Sequence, residues 1–323
     1  MIRFLVPVRS VEMAAMAIFC RRYNKSNKDL IPVLRELGIL KPREYFVCCG
    51  HEMTQPNFMQ ENALLMVCYF CNKKTAVTTG SILHDTKISW FNVLAILRCW
   101  ALDRSQVAAS DDTFVSERSV AEVYRTCRAV ASRWLMKYHI KMGGPGDIVE
   151  IDEVHLGRKK KYGRGTYTTN VDEWVVSIYE RRRKIVAFRM LPNQKRETIF
   201  PIIEEYVQKG SIIVTDEASV YGTPGNKPLH GLGYFHETVN HSAGEYVRYV
   251  DGWTDSIQGR GWYTNSCEGM HNQLRLFFRT HGNPNQNIIS EYLDEYMFRN
   301  MVMKRALRYQ AFDVLCGAIG DAY

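Results

Sequence analysis

Three carboxylates stand in positions where a strand or helix pattern makes them conspicuous. Asp152 lies in Val149-Glu150-Ile151-Asp152-Glu153-Val154-His155-Leu156, where apolar residues at 149, 151, 154 and 156 predict a central strand. Glu150 and Asp152 are two apart and share one face of that strand, while Glu153 points the other way. Burying carboxylates there is costly unless a cation offsets them, and a divalent metal is the usual candidate. Asp216 ends a second apolar run, Ser211-Ile212-Ile213-Val214-Thr215-Asp216. Glu268 opens a helical pattern carried by Met270, Leu274, Phe277 and Phe278. A lone Asp at a strand end is more often a turn residue or a helix cap. Three acids in this order, on these element types, can instead hold two Mg²⁺ or Mn²⁺ ions, roughly 4 Å apart, for in-line attack on a phosphodiester.

A second metal-type grouping lies upstream. Tyr45-Phe46-Val47-Cys48-Cys49-Gly50-His51 faces Cys68-Tyr69-Phe70-Cys71 across a loop. Cys68 and Cys71 have knuckle spacing, and Cys48 with His51 would complete a tetrahedral Zn²⁺ site. A zinc-ribbon knuckle normally places a first Cys at position 46, which here is Phe. Either the first pair shifts to Cys48 and His51 or the site is degenerate. The other five of the nine cysteines are scattered, so the usage is not that of a disulfide framework.

The 323 residues have room for about two domains. A hydrophobic content of 46% with 12% aromatics describes a folded chain with a sizeable core. The net charge of +8 favours a polyanionic partner such as nucleic acid. No apolar run is long enough to predict a membrane span, and Arg3, Arg9 and Glu12 interrupt the first 20 residues, so neither a membrane partner nor a secretory signal is expected.

The elements that must position these groups read as follows. Residues 1–40 form an N-terminal helical segment, with Leu30, Val33, Leu34 and Leu37 on one face, and 41–85 the zinc-ribbon-like unit. Residues 86–142 are helical and read either as a helix-turn-helix or as a plain bundle; in the first case Arg118, Arg125, Arg128 and Arg133 would contact phosphates. The third unit spans 146–305 and is followed by a helical tail, 306–323. Strands at 174–179 and 185–190 make a hairpin whose tip, Arg181 to Lys184, reads as a solvated turn or a DNA contact. A helix at 196–208, strand 211–216 and a fifth strand reached through 231–236 follow. Strand and helix order β-β-β-α-β-α-β-α is that of an RNase H-like α/β domain with a mixed five-stranded sheet. The run from Arg158 to Lys161 is either an import signal or part of a DNA-binding face, to which Lys159, Lys160 and Arg164 would contribute. Residues 240–263, with Trp253, Trp262, Arg248 and Arg260, either grip an unpaired DNA end or cap the core.

Several ordered blocks carry a resemblance. They are Glu150-Ile151-Asp152-Glu153 with Gly157 and Lys161-Tyr162-Gly163-Arg164-Gly165; Ile212 to Asp216 with Tyr221; Val239-Asn240-His241; Thr264-Asn265-Ser266-Cys267-Glu268-Gly269; and Tyr292-Leu293-Asp294-Glu295-Tyr296 with Phe298-Arg299. Together they resemble the Merlin superfamily of DDE transposases and related bacterial insertion-sequence transposases, over about residues 40–305. The resemblance implies Asp152, Asp216 and Glu268 as catalytic, Mg²⁺-binding triad, and Arg275 as a basic partner seven residues after Glu268. It also implies an upstream zinc-binding and helix-turn-helix region that recognises transposon ends. The expected activity is cleavage at terminal inverted repeats and joining of 3′ ends to target DNA. Pairing two ends implies a homodimer or larger assembly on double-stranded DNA. The competing expectations are an inactive DNA-binding derivative and an RNase H-like nuclease without strand transfer. His155 and His241 either assist or are structural. The working compartment is the nucleus in a eukaryotic host, and the cytoplasm or nucleoid in a bacterial one.

Overall fold

The structure is a computed structural model that describes residues 8–54, 64–156, 173–222, 226–240, 247–249, 261–282, 284–306 and 310–323. The chain divides into two compact units, one comprising residues up to Trp134 together with Arg305–Tyr323, the other Leu135–Lys304.

The first unit opens with helices α1 (Val8–Tyr23) and α2 (Asn27–Glu36). Ser26 caps α2 by accepting from the Asp29 amide at 3.3 Å, and Gly38, at φ +74°, turns the chain out of it. Two small ribbons follow. Strands β1 (Val47–Cys48) and β2 (His51–Glu52) pair antiparallel, as do β3 (Leu65–Val67) and β4 (Lys74–Ala76). Phe46, Met53, Met66 and Cys68 make their buried core. Three helices complete the run: α3 (Trp90–Ala101), α4 (Gln106–Thr113) and α5 (Glu117–Tyr138). Ser89 and Ser105 start the first two, accepting from the Asn92 amide at 3.1 Å and the Ala108 amide at 3.2 Å. The most apolar is α3, and Trp100 on it is fully buried. The C-terminal helix Ala311–Ala322, read in sequence as a tail, belongs to this unit: its Phe312 meets Phe19 edge-on at 5.5 Å and Tyr23 at 5.7 Å. Gly38 and Gly320 permit the close approach, since a Cβ on Gly320 would stand 3.2 Å from the Gly38 carbonyl oxygen.

On α5, Arg118 and Arg125 are exposed, but Arg128 is buried on the face it shares with Tyr124, Cys127 and Ala131. The expectation that Arg128 touches phosphate is therefore corrected. It lies ten residues from Arg118, nearly three turns, and the 3.6-residue period carries it onto the apolar stripe.

The second unit is built on a five-stranded sheet. Its elements are β5 (Ile148–His155), β6 (Trp174–Glu180), β7 (Ile185–Leu191), α6 (Arg196–Tyr206), β8 (Ile212–Asp216), α7 (Pro228–Gly231), β9 (Phe235–Val239), the short pair β10 (Arg248–Tyr249) and β11 (Gly261–Trp262), α8 (Asn265–Thr280) and α9 (Ile289–Met301). Strand order is β7-β6-β5-β8-β9. The first three strands run antiparallel, and β5–β8 and β8–β9 are parallel. The order and the mixed sense are those expected of an RNase H-like domain. Strand β5 is central because Ile148 to Ile151 are all buried. The outer amides of strand β7 are covered by α9: Val186 donates to Asn300 Oδ1 at 3.1 Å and Phe188 to Met297 Sδ at 3.0 Å. That removes an unpaired sheet edge.

Candidate active site

Parallel register places the first two acids side by side. Glu150 on β5 pairs with Val214 on β8. Two residues further along come Asp152, within β5, and Asp216, the last residue of β8. The third acid, Glu268, sits in the first turn of α8.

What ties α8 to the sheet is Glu150. Helix α8 has no side-chain cap of its own at Thr264. Its leading donors are taken up by a strand residue instead: Glu150 Oε2 accepts from the Ser266 amide at 2.9 Å and the Cys267 amide at 3.3 Å. Oε1 accepts from Ser266 Oγ at 2.8 Å and from Arg181 Nε at 2.6 Å. A carboxylate at a helix N-terminus satisfies orphan amides and meets the positive end of the dipole. Arg181 itself is buried, donating from Nη1 to the Gly261 carbonyl at 2.7 Å and from Nη2 to the Tyr263 carbonyl at 2.8 Å. Its guanidinium lies 3.5 Å over the Tyr263 ring. Burial pushes the Glu150 carboxyl up, opposed first by the Arg181 charge and then by Ser266. Of the tip expected to be a solvated turn or a DNA contact, Arg182, Arg183 and Lys184 are exposed turn residues, with Arg182 paired to Asp147 and Arg183 to Glu180, and only Arg181 is turned inward.

Asp152 shows that the acids converge. Its carboxyl is pushed up from 3.8 to about 7 by burial first, then by the negative charges of Glu153 and Asp216 and, more weakly, of Glu268. Oδ1 accepts from the Glu153 amide at 2.9 Å. Glu153 is a fourth carboxylate at the site. Its own pKa is raised, by burial first, and the fully buried Tyr221 hydroxyl donates to its Oε1. Tyr221 follows Asp216 by five residues, so this bond ties the segment after β8 to the end of β5. Asp216 Oδ1 in turn accepts from the Ala218 amide at 3.0 Å. Among the described residues, Asp152, Glu153 and Asp216 are partly buried and Glu268 is exposed, and the repulsion felt at Asp152 is one that a divalent ion would relieve.

Sequence reasoning missed His271. It lies three residues after Glu268, is 5% exposed, and sits 2.7 Å from Ser177 Oγ through Nε2. Burial first, then Arg275, pushes its pKa down to about 4. The sign available in sequence was a histidine on the apolar stripe of an acid-bearing helix. Of the other expected residues, Arg275 is exposed and donates to the His155 carbonyl at 3.5 Å. His155 packs against Trp174 at 5.1 Å. Lys159, Lys160, Arg164, His241, Trp253 and Arg260 lie outside the described residues.

In the first unit, the sulfurs of Cys48, Cys49, Cys68 and Cys71 lie within 4.8 Å of one another. Cys49 therefore occupies the place expected for His51. The cause is backbone conformation: Cys49 at φ +54° and Gly50 at φ +77° turn the Cys49 thiol back into the cluster. His51 is held elsewhere, its Nδ1 2.9 Å from the Cys49 carbonyl oxygen and its ring stacked 4.3 Å from Phe70. Backbone amides of Cys71 and then Phe70 lower the Cys68 thiol to about 7, against burial, so a thiolate is accessible near neutral pH. Four thiols at this separation suit Zn²⁺.

Residues 144–300 match the family model described as an ISXO2-like transposase domain. The match supports a DDE transposase-type function for that unit. Among solved structures, the catalytic core domain of BIV integrase is similar at 13% identity over 50% of this chain and 86% of that one, with a TM-score of 0.30. A simian T-cell lymphotropic virus intasome in complex with PP2A regulatory subunit B56 gamma is similar at 13% identity, 68% and 72% coverage and a TM-score of 0.32. The Mos1 transposase paired-end complex with left transposon end is similar at 12% identity, 70% and 78% coverage and a TM-score of 0.29. No curated protein matches the chain. Among the described residues, no helix is long and apolar enough to cross a membrane.

Two outcomes follow from this geometry. The folded protein holds the Asp152 proton to about pH 7, whereas an ordinary Asp releases it near 3.8. Without divalent ions, stability therefore falls as pH rises across that window. The urea midpoint should drop between pH 4 and pH 8, recover on adding Mn²⁺, and vary less with pH in Asp152→Asn; equal slopes in both proteins would contradict the convergence of charge. Elemental analysis should find about one Zn²⁺ per chain, kept in His51→Ala and lost in Cys49→Ser. The reverse pattern would restore His51 as a ligand.

Proposed function

We propose that the chain is a Merlin-type DDE transposase that binds terminal inverted repeats, cleaves at the transposon ends and joins the 3′ ends to target DNA. The observation that carries this reading is the convergence of charge on Asp152, raised to about 7 by burial and by acids from β5, β8 and α8. Asp152, Asp216 and Glu268 are the residues that would hold two divalent ions. Mg²⁺ or Mn²⁺ bound there lowers the nucleophile's pKa and neutralises charge growing on the phosphoryl oxygens.

The chain's own residues do the rest by position. Glu150 holds the helix that carries Glu268, and Tyr221 holds Glu153 beside Asp152. These residues come from the same sequence blocks that carry the Merlin resemblance, which supports that affiliation. Arg118 and Arg125 on α5, with Arg275 on α8, are exposed cations suited to phosphate contact. Arg118 and Arg125, with the cysteine cluster and helices α3–α5, form the end-recognition part of the proposal, upstream of the catalytic segment 146–305. Joining two ends in one reaction requires at least two copies of the chain. The protein would act in the nucleus of a eukaryotic host, or at the nucleoid of a bacterial one.

The test incubates purified protein with labelled DNA carrying candidate terminal repeats, a target plasmid and Mg²⁺, alongside Asp216→Ala. Cleaved ends and joined product should form with the wild type, and both should be lost in the variant. Binding without cutting by either protein would sink the catalytic reading and leave a DNA-binding derivative. Cutting without joining would leave a nuclease.

A further inference from the structure

Ser177, on β6, bridges two groups. Its Oγ donates to the Asp152 main-chain oxygen at 2.9 Å and lies 2.7 Å from His271 Nε2. A carbonyl oxygen can only accept, so the single hydroxyl proton goes to Asp152. Oγ must then accept from His271, which places the imidazole proton on Nε2. A neutral ring has one N–H, so Nδ1 carries the lone pair. Nδ1 faces Asp152 Oδ2 across 3.9 Å, beyond hydrogen-bond reach. The other carboxylate oxygen, Oδ1, already accepts from the Glu153 amide. Once Asp152 is ionised, two lone pairs therefore face each other, with the His271 side chain 6% exposed and that of Asp152 21%. Such an arrangement is unfavourable unless a proton or a cation lies near both.

We infer that His271 supplies an unprotonated imidazole nitrogen to the divalent ion held by Asp152, making the centre a mixed nitrogen–carboxylate site rather than an all-carboxylate one. This rests on the reading of the acidic site given above. The Ser177 hydroxyl is the outer partner that fixes ring orientation and tautomer, the part a carbonyl or carboxylate plays behind most metal-bound histidines. Glu268 and His271, three apart on α8, approach from one helix face. Placing a nitrogen among the oxygens shifts preference away from Mg²⁺, which favours oxygen ligands, toward Mn²⁺ and later metals. Loss of the imidazole should therefore weaken Mn²⁺ more than Mg²⁺.

The test loads the full chain with Mn²⁺ and records pulsed electron paramagnetic resonance, with ¹⁵N-histidine labelling to assign the nitrogen. Bound Mn²⁺ should show a directly coordinated histidine nitrogen, absent in His271→Gln. Mn²⁺ affinity should fall about 10- to 100-fold in that variant, by analogy with losses at metal sites. Circular dichroism checks its folding; if His271→Gln fails to fold, Ser177→Ala takes its place and should lower Mn²⁺ affinity by about tenfold. Mn²⁺ that binds, is lost in Asp152→Asn, and shows no histidine nitrogen would overturn ligation by His271 while leaving the acidic site intact. A nitrogen signal that persists in His271→Gln would assign it to another histidine and overturn the inference equally. No Mn²⁺ binding to the wild type would overturn both the inference and the reading beneath it.

Discussion

The site depends on one buried ion pair. Glu150 and Arg181 are each almost fully removed from water, and each holds further partners besides the other. The carboxylate takes the leading amides of α8; the guanidinium takes two carbonyls from the segment that enters that helix. A pair of this kind is weak evidence for net stability, because desolvation offsets much of the attraction. Breaking it by removing one partner commonly costs about 3–5 kcal/mol. Its consequence is geometric. Asp152 is two residues from Glu150 on one strand, and Glu268 is two residues from Ser266 on one helix. The same carboxylate therefore sets the separation of two acids that are more than a hundred residues apart in sequence.

A second constraint pulls the other way. Asp152, Glu153, Asp216 and Glu268 bring negative charge together, and the partly buried Asp152 responds by holding its proton to about pH 7. Hydrogen bonds keep the group assembled without neutralising it. Tyr221 bonds Glu153, the Ala218 amide bonds Asp216, and the Glu153 amide bonds Asp152. Stability is given up locally for a site whose charge a cation relieves, a familiar pattern where buried acids serve chemistry. In the first unit the cysteine cluster shows the same logic with softer donors: backbone amides favour a thiolate on Cys68 before any metal binds.

Much of this was legible in the chain. Alternating apolar residues around Asp152, the apolar run ending at Asp216 and the helical stripe after Glu268 placed the acids on the elements that carry them. Glu150 was visible as an anomaly, an acid in a strand pattern, but its partner was not. Arg181 belongs to a run of four cations at a hairpin tip, and such runs are usually solvated; only the sheet register brings it over Glu150. Arg128 failed because residue type was read ahead of helical phase. His51 failed because a left-handed conformation at Cys49 reverses the chain, and no spacing rule reports φ. His271 was hidden inside an amphipathic pattern, where a histidine looks like filling until Ser177 from β6 is seen beside it.

The most direct measurement is amide hydrogen exchange across the first turn of α8 in wild type and Glu150→Gln. If Glu150 holds that turn to β5, losing a charge-assisted bond worth about 2 kcal/mol should speed exchange at Ser266 and Cys267 roughly 30-fold. Protection in β5, β6 and β7 should persist. Unchanged protection at Ser266 and Cys267, in a variant whose sheet remains folded, would show that α8 is positioned by something other than Glu150.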